Sequence, residues 1–356
     1  MGFLILLVAL AAASPAAEHI LVYEDKGRFG GWPANHGIWS WGDEILVGFS
    51  AAWHQVKDIG RHQANSDKPE EPRLARSLDG GRTWKIETPP GLLPPEQGGR
   101  PIAELAEPLD FTNPNFAMTL RFTNIHTGPS RLHYSNDRGR TWHGAFNFPL
   151  FGQKGIAART DYIALGKREC LVFLTASKQN GREGRPLVVR TTDGGLNWKF
   201  LSWIGPEPSG FSIMPSSIRL STGRIITTVR VKEDPPNWID AYASDDNGAT
   251  WSYLNRPVPS TGGSSGNPPS LLKLKDGRLA LTYGHRSEPY SIRARLSNDQ
   301  GKTWSGDITL RDGAPAWDLG YTRSVQRPDG KIVTVYYFMR EKHAERFIAG
   351  TIWDPK

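Results

Sequence analysis

The chain has 356 residues, a formal net charge of +7, 38% hydrophobic residues and 22% charged ones. That balance excludes a disordered polymer and supports a packed core. A single cysteine, Cys170, excludes an intrachain disulfide and a thiolate metal cluster. The basic balance favours an anionic partner, and with no dense Lys/Arg tract the expected partner is an acidic glycan, not nucleic acid.

In chain order, residues 3–13 form an apolar run followed by Ser14-Pro15-Ala16-Ala17. The run is too short to span a bilayer well and reads as the core of a signal peptide covering residues 1–17. The mature chain is then residues 18–356, secreted or periplasmic, with no membrane span. His19-Ile20-Leu21-Val22-Tyr23 reads as a first strand.

An octad then recurs. Its copies are Ser77-Leu78-Asp79-Gly80-Gly81-Arg82-Thr83-Trp84, Ser135-Asn136-Asp137-Arg138-Gly139-Arg140-Thr141-Trp142, Thr191-Thr192-Asp193-Gly194-Gly195-Leu196-Asn197-Trp198, Ser244-Asp245-Asp246-Asn247-Gly248-Ala249-Thr250-Trp251 and Ser297-Asn298-Asp299-Gln300-Gly301-Lys302-Thr303-Trp304. The aspartates recur every 53 to 58 residues, which is the period of a repeat architecture. Asp accepts from backbone amides two residues on, Gly supplies a positive φ, Ser or Thr ties the other side of the turn, and Trp buries a large face. Each octad is therefore a hairpin corner, and its aspartate is a fold residue. Four strand-like runs surround each corner, the anatomy of a propeller blade. Residues 321–326, 331–337 and 346–353 supply three strands of a sixth, unmarked blade. The strand at residues 19–23 completes it and removes the open sheet edge. The expected fold is all-β: a six-bladed β-propeller of four-stranded antiparallel blades, closed by N- and C-terminal strands. Cys170, in Glu169-Cys170-Leu171-Val172-Phe173, reads as a core strand residue.

Repeated Ser-x-Asp-x-Gly-x-Thr-Trp corners on six blades resemble the sialidase (neuraminidase) superfamily, in a divergent branch. The resemblance implies a central site in which three arginines grip a carboxylate, a Tyr paired with a Glu is the nucleophile, and a first-blade Asp is the acid/base. Tyr321, in Gly320-Tyr321-Thr322-Arg323, matches the nucleophile. Arg230, 14 residues before Ser244, matches the fourth-blade arginine, and Arg286 in Tyr283-Gly284-His285-Arg286 matches the fifth. The first-blade arginine is missing from Gly30-Gly31-Trp32-Pro33; Arg28, Arg323 and Arg159 are the substitutes. Asp67, with Asp58 as the alternative, takes the acid/base role. The nucleophile's Glu is absent from Ile213-Met214-Pro215-Ser216, leaving Asp161 in Arg159-Thr160-Asp161-Tyr162 as its stand-in.

The reading of first choice is an exo-α-sialidase-like glycoside hydrolase releasing terminal sialic acid or a related acidic sugar, with no cofactor and no metal. Two others remain open. One is a lyase on uronic-acid polysaccharides, for which His36, His54, His62 and Arg121 would matter. The other is a non-catalytic glycan-binding propeller. His54 and His62 with Asp58 are a further metal-ligand candidate, read here as surface residues.

Overall fold

The protein, seen in a computed structural model, is described over residues 17–58, 60–233, 237–263 and 265–356. Residues 1–16 of the expected signal peptide, residues 1–17, lie outside the described residues. Six antiparallel sheets form the blades of a ring. Blade 6 pairs Gly320–Gln326, Ile332–Phe338 and Phe347–Trp353, and the N-terminal strand Glu18–Tyr23 lies against Phe347–Trp353. The expected closure by both termini is therefore present.

Each sheet is clamped between two neighbours, so its middle strands are buried on both faces. Ile332–Phe338 is buried at all seven positions. Side chains alternate between the two blade interfaces, as the period of a strand requires. Ile225 packs toward blade 3 with Leu171 and Phe173, whereas Ile226 packs toward blade 5 with Leu279 and Leu281. Six apolar clusters result, one at each interface.

The octads behave as hairpin corners, with one correction. Asp79 accepts from the amides of Arg82 and Thr83, three and four residues on, at 3.0 and 2.9 Å, not two. Ser77 donates its hydroxyl to Asp79 at 2.8 Å and accepts from the Gly81 amide at 2.8 Å. In the third copy Asn197 replaces Thr and donates its side-chain amide to Asp193 at 2.8 Å. Gly81 has φ +89°, and a Cβ there would press on Val333 of blade 6. Each octad Trp seals the interface with the preceding blade: Trp84 against blade 6, Trp142 against blade 1, Trp198 against blade 2, Trp251 against blade 3 and Trp304 against blade 4. Trp353 fills that place between blades 5 and 6. Asp299 accepts from the Thr303 amide at 2.9 Å, the Thr303 hydroxyl at 2.6 Å and the Ser297 hydroxyl at 2.9 Å. Asp299→Ala is expected to cost about 1–2 kcal/mol, seen as a lower urea midpoint with an unchanged slope.

The departures from uniform blades fall on the first three. In blade 1 the innermost strand is split into Arg28–Gly31 and Ile38–Trp41, both paired with Glu44–Trp53, and the short helix Pro33–His36 fills the gap. Blade 3 is split likewise, into Ile156–Ala157 and Tyr162–Gly166. Blade 2 keeps three strands, Ala117–Phe122, Ser130–Ser135 and His143–Phe148, with a parallel bridge from Ala103 to Phe146 at its outer side. Among the described residues, no helix is long and apolar enough to cross a membrane.

Candidate active site

Gly320–Gln326 enters blade 6 through a bulge, and Tyr321 sits in it at φ 52°, a left-handed conformation that a bulky residue rarely adopts. Asn267 over-determines it. Its side-chain oxygen accepts from the Tyr321 amide at 2.9 Å and the Gly284 amide at 3.2 Å, while its NH2 donates to the Leu319 carbonyl at 2.9 Å. A Cβ on Gly320 would come within 2.4 Å of the Asn267 side chain, so the position before Tyr321 requires glycine.

The phenol so placed meets Arg230, whose Nη1 donates to the Tyr321 hydroxyl at 3.2 Å. Arg230 lies near the end of strand Ile225–Lys232; its Nη2 donates to the Ser265 carbonyl, and its Nε is buried without a partner. Arg286 lies 5.4 Å over the Tyr321 ring. Burial pushes the Tyr321 phenol up, but the charges of Arg230, Arg286 and Arg159 more than offset it, so its pKa falls below the ordinary value. The same charges ease loss of the phenol proton and favour an anionic group beside it.

A second unit stands against the same ring. His62 lies 6.4 Å from Tyr321, ring centre to ring centre, and its Nδ1 contacts Asp318 at 2.6 Å. Asp318 also accepts from the Tyr337 hydroxyl at 2.7 Å and the Gln63 amide at 3.3 Å, and pairs with Arg346 at 3.4 Å. Burial pushes the Asp318 carboxyl up, but His62, Arg346 and Arg286 pull it well below the usual carboxylate range. An ionised Asp318 fixes Nδ1 of His62 as the protonated nitrogen and leaves Nε2 to exchange a proton. Trp32 and Trp317 flank the imidazole at 5.4 and 5.6 Å.

The other sequence-derived positions lie elsewhere or are engaged otherwise. Arg286 is adjacent to Tyr321, but its donors are taken by the Leu319 and Gly266 carbonyls, the Ser265 hydroxyl and the Tyr337 hydroxyl. It supplies charge and holds the bulge, with no free fork for a carboxylate. Arg28 is not in the centre: it donates to Glu71 at 2.9 Å and to the Ala51 carbonyl at 2.7 Å, beneath Trp53. Arg323 donates to the carbonyls of Ala34 and Thr160. It lines a cavity of about 310 Å³ on the ring axis together with Asp161. Asp161 does not assist the phenol, because it is held by the Ser217 amide and hydroxyl at 3.2 and 2.8 Å. Ser217 pairs with Thr227, three positions along the strand from Arg230. Asp67 is exposed, its amide donating to Asn65, and has no contact with Tyr321. Asp58 lies in a surface groove with Arg61 and Lys342. Arg159 is paired with Glu183 and donates to Asn35 at 3.1 Å. Where the resemblance places a Glu, Met214 turns its sulfur toward Arg230 at 3.7 Å. Among the described residues, no three His, Cys, Asp or Glu side chains gather as a metal site.

Sequence reasoning reached His62 only as a lyase or metal candidate, and it missed Asp318 and Asn267. Asp318 stands three residues before Tyr321, a proximity that could have drawn attention to it. Nothing local marks Asn267, whose side-chain partners come from two other segments.

The sequence model of the BNR repeat-like domain matches residues 130–334. The chain belongs to the BNR repeat-like family. No curated protein matches it. Among solved structures, this BNR-repeat chain is similar to a protein of unknown function from Dyadobacter fermentans, at 19% identity and TM-score 0.72, over 96% of this chain and 100% of that one. It is also similar to the K499G mutant of the NanB sialidase from Streptococcus pneumoniae, at 12% identity and TM-score 0.64, over 98% of this chain and 71% of that one. An α-L-arabinofuranosidase from Fusarium graminearum, in complex with an iminosugar inhibitor, is similar at 12% identity and TM-score 0.60, over 96% and 98%. At these identities the likeness establishes the shared propeller and nothing finer.

Proposed function

We propose that this BNR-repeat propeller is an exported glycosidase whose reacting sugar carries a carboxylate, an exo-sialidase-like activity being the first form to test. The observation that carries the reading is the Tyr321 hydroxyl on Arg230, in a pocket of positive charge, with the His62–Asp318 pair against the same ring. A carboxylate nucleophile would be repelled by an acidic sugar, whereas a phenolate flanked by arginines is not. In the first step Tyr321, having lost its phenol proton to solvent, bonds through its oxygen to the anomeric carbon. The bond from that carbon to the leaving oxygen breaks, and protonated His62 gives its Nε2 proton to that oxygen. In the second step neutral His62 takes a proton from water, the hydroxide oxygen bonds to the anomeric carbon, and Tyr321 leaves. Arg230, beside the phenol, is assigned to the carboxylate of the sugar in this reading. His62 thus takes the acid/base role first given to Asp67.

The His62–Asp318 pair also suits a lyase on uronic-acid glycans. There neutral His62 would take the proton beside the carboxylate and Tyr321 would protonate the leaving oxygen. Incubation with a fluorogenic sialoside and, separately, with polygalacturonate between about pH 4 and pH 8 decides. Fluorophore release supports hydrolysis, and an absorbing unsaturated product supports elimination. Neither product from folded protein would sink the catalytic reading and leave a glycan-binding propeller. Asp318→Asn is expected to lower kcat by about 10–100-fold with KM little changed, because the imidazole loses its orienting carboxylate.

A further inference from the structure

Between blades 1 and 2 lies a cavity of about 390 Å³, apart from the Tyr321 centre. Its charged and titratable lining is His36, Glu70, Glu96, Arg121, Arg131 and His133. Arg121 ends the inner strand of blade 2, Ala117–Phe122, opposite Arg131. Its guanidinium makes no hydrogen bond or ion pair among the described residues. Nε and Nη2 are sealed from water without a partner, which leaves Nη1 to face the cavity. Burial with no compensating carboxylate pulls this arginine down to about 10. Arg121 is half-buried as a residue, but sealed guanidinium nitrogens left unpaired in a folded chain are uncommon and point to a ligand that completes the charge.

The rest of the wall is suited to a polar, hydroxyl-rich ligand. His133 places its Nδ1 3.1 Å from the Gly91 carbonyl, and burial, followed by the charge of Arg121, pushes its pKa down to about 3. It is therefore neutral, with Nδ1 donating and Nε2 left as an acceptor. His36 is held neutral by burial and then by Arg121 and Arg323; its Nε2 meets the Ser50 hydroxyl at 2.9 Å and its Nδ1 has no partner. Glu70 is an exposed residue on the cavity wall. Burial of its carboxyl raises its pKa, only partly offset by Ser50 and His62. Two features join the cavity to the centre. The His62 charge reaches Glu70, and Asn35, on the cavity wall, accepts from Arg159, whose charge reaches Tyr321.

We propose that this cavity is a second sugar subsite, in which Arg121 takes the carboxylate of a uronic-acid unit next to the one cleaved at Tyr321. The proposal rests on the glycosidase reading for its position in the substrate but not for the binding itself. It makes the substrate an acidic oligosaccharide, with at least two charged units, rather than a glycan ending in one.

Calorimetric titration with D-glucuronate, D-glucose and inorganic phosphate tests it, on wild type, Tyr321→Phe, Arg121→Gln and Arg121→Lys. Glucuronate is expected to bind in the millimolar range, equally to wild type and Tyr321→Phe, at least about tenfold more weakly to Arg121→Gln, and in between for Arg121→Lys. Glucose, lacking the charge, is expected to bind at least about tenfold more weakly than glucuronate. No glucuronate binding up to about 10 mM, or equal affinity for glucose, overturns the proposal. So does unchanged binding in Arg121→Gln, or phosphate binding as tightly as glucuronate, which would make the site one for small anions. Because the readout is binding, an inactive protein that passes this test refutes the glycosidase reading and leaves the subsite standing. Loss of glucuronate binding in Tyr321→Phe places the ligand at the centre instead and also overturns it.

Discussion

Tyr321→Phe is expected to lower kcat by at least about 10³-fold on whichever acidic glycoside the wild type cleaves, with a smaller change in KM. The substitution removes one oxygen. That oxygen is the atom that attacks in the hydrolytic mechanism and the proton donor in the eliminative one, so both routes fail. The left-handed backbone at residue 321 is held by Asn267 through main-chain contacts that Phe retains. Thermal unfolding should therefore shift only by the loss of one hydrogen bond to Arg230, worth about 1 kcal/mol. Steady-state kinetics with a melting curve on the same sample check this. A variant that keeps more than a tenth of wild-type kcat would remove Tyr321 from the chemistry.

The second large effect concerns stability. Asp161 is buried on the ring axis, and its pKa is pushed up to about 7, burial dominating over the opposing influences of Arg323 and Ser217. The unfolded carboxyl titrates near 3.8. Below about pH 4 the group is neutral in both states and contributes nothing to the pH dependence. Between about pH 4 and pH 7 the unfolded chain loses this proton first, so folding stability falls as pH rises, by up to about 4 kcal/mol. Asp161→Asn removes the ionisation. Its amide can still accept from the Ser217 amide and can donate to the Ser217 hydroxyl, which can then donate to Thr227 at 2.8 Å. The variant is expected to be more stable than wild type by about 2–4 kcal/mol at pH 8 and nearly equal at pH 4. Urea unfolding at the two pH values measures it. A difference that is the same at both would show that Asp161 does not carry a raised pKa.

How much of this was legible before the fold is clearest from particular residues. The contacts of Asp79 run no further than Thr83, so the sequence carried the corner whole, apart from which amides it binds. Ile225 and Ile226 show why the strands were legible: neighbouring side chains must face opposite interfaces, and both interfaces are apolar. Arg286 shows the limit. Its resemblance to the family's fifth-blade arginine placed it near the centre, but the carbonyls of Leu319 and Gly266 that occupy it come from two other loops. Asp161 and Arg323 failed for a related reason. Arg323 stands on the inner strand of blade 6 and Asp161 in the gap between the two inner-strand pieces of blade 3, at a depth along the axis that spacing does not encode.

By itself the sequence determined the ring, its six blades, its closure by both termini and the position of Tyr321 at the head of the last blade. All of these follow from short-range turn chemistry and the two-residue period of a strand. Only the tertiary structure decided which groups meet Tyr321. His62, Arg230, Asn267 and Asp318 come from separate blades and loops, and whether a charge there is free or already satisfied depends on carbonyls and carboxylates brought to it by closure of the ring. Arg121 is the reverse case: the fold seals two of its guanidinium nitrogens and gives them no partner among the described residues.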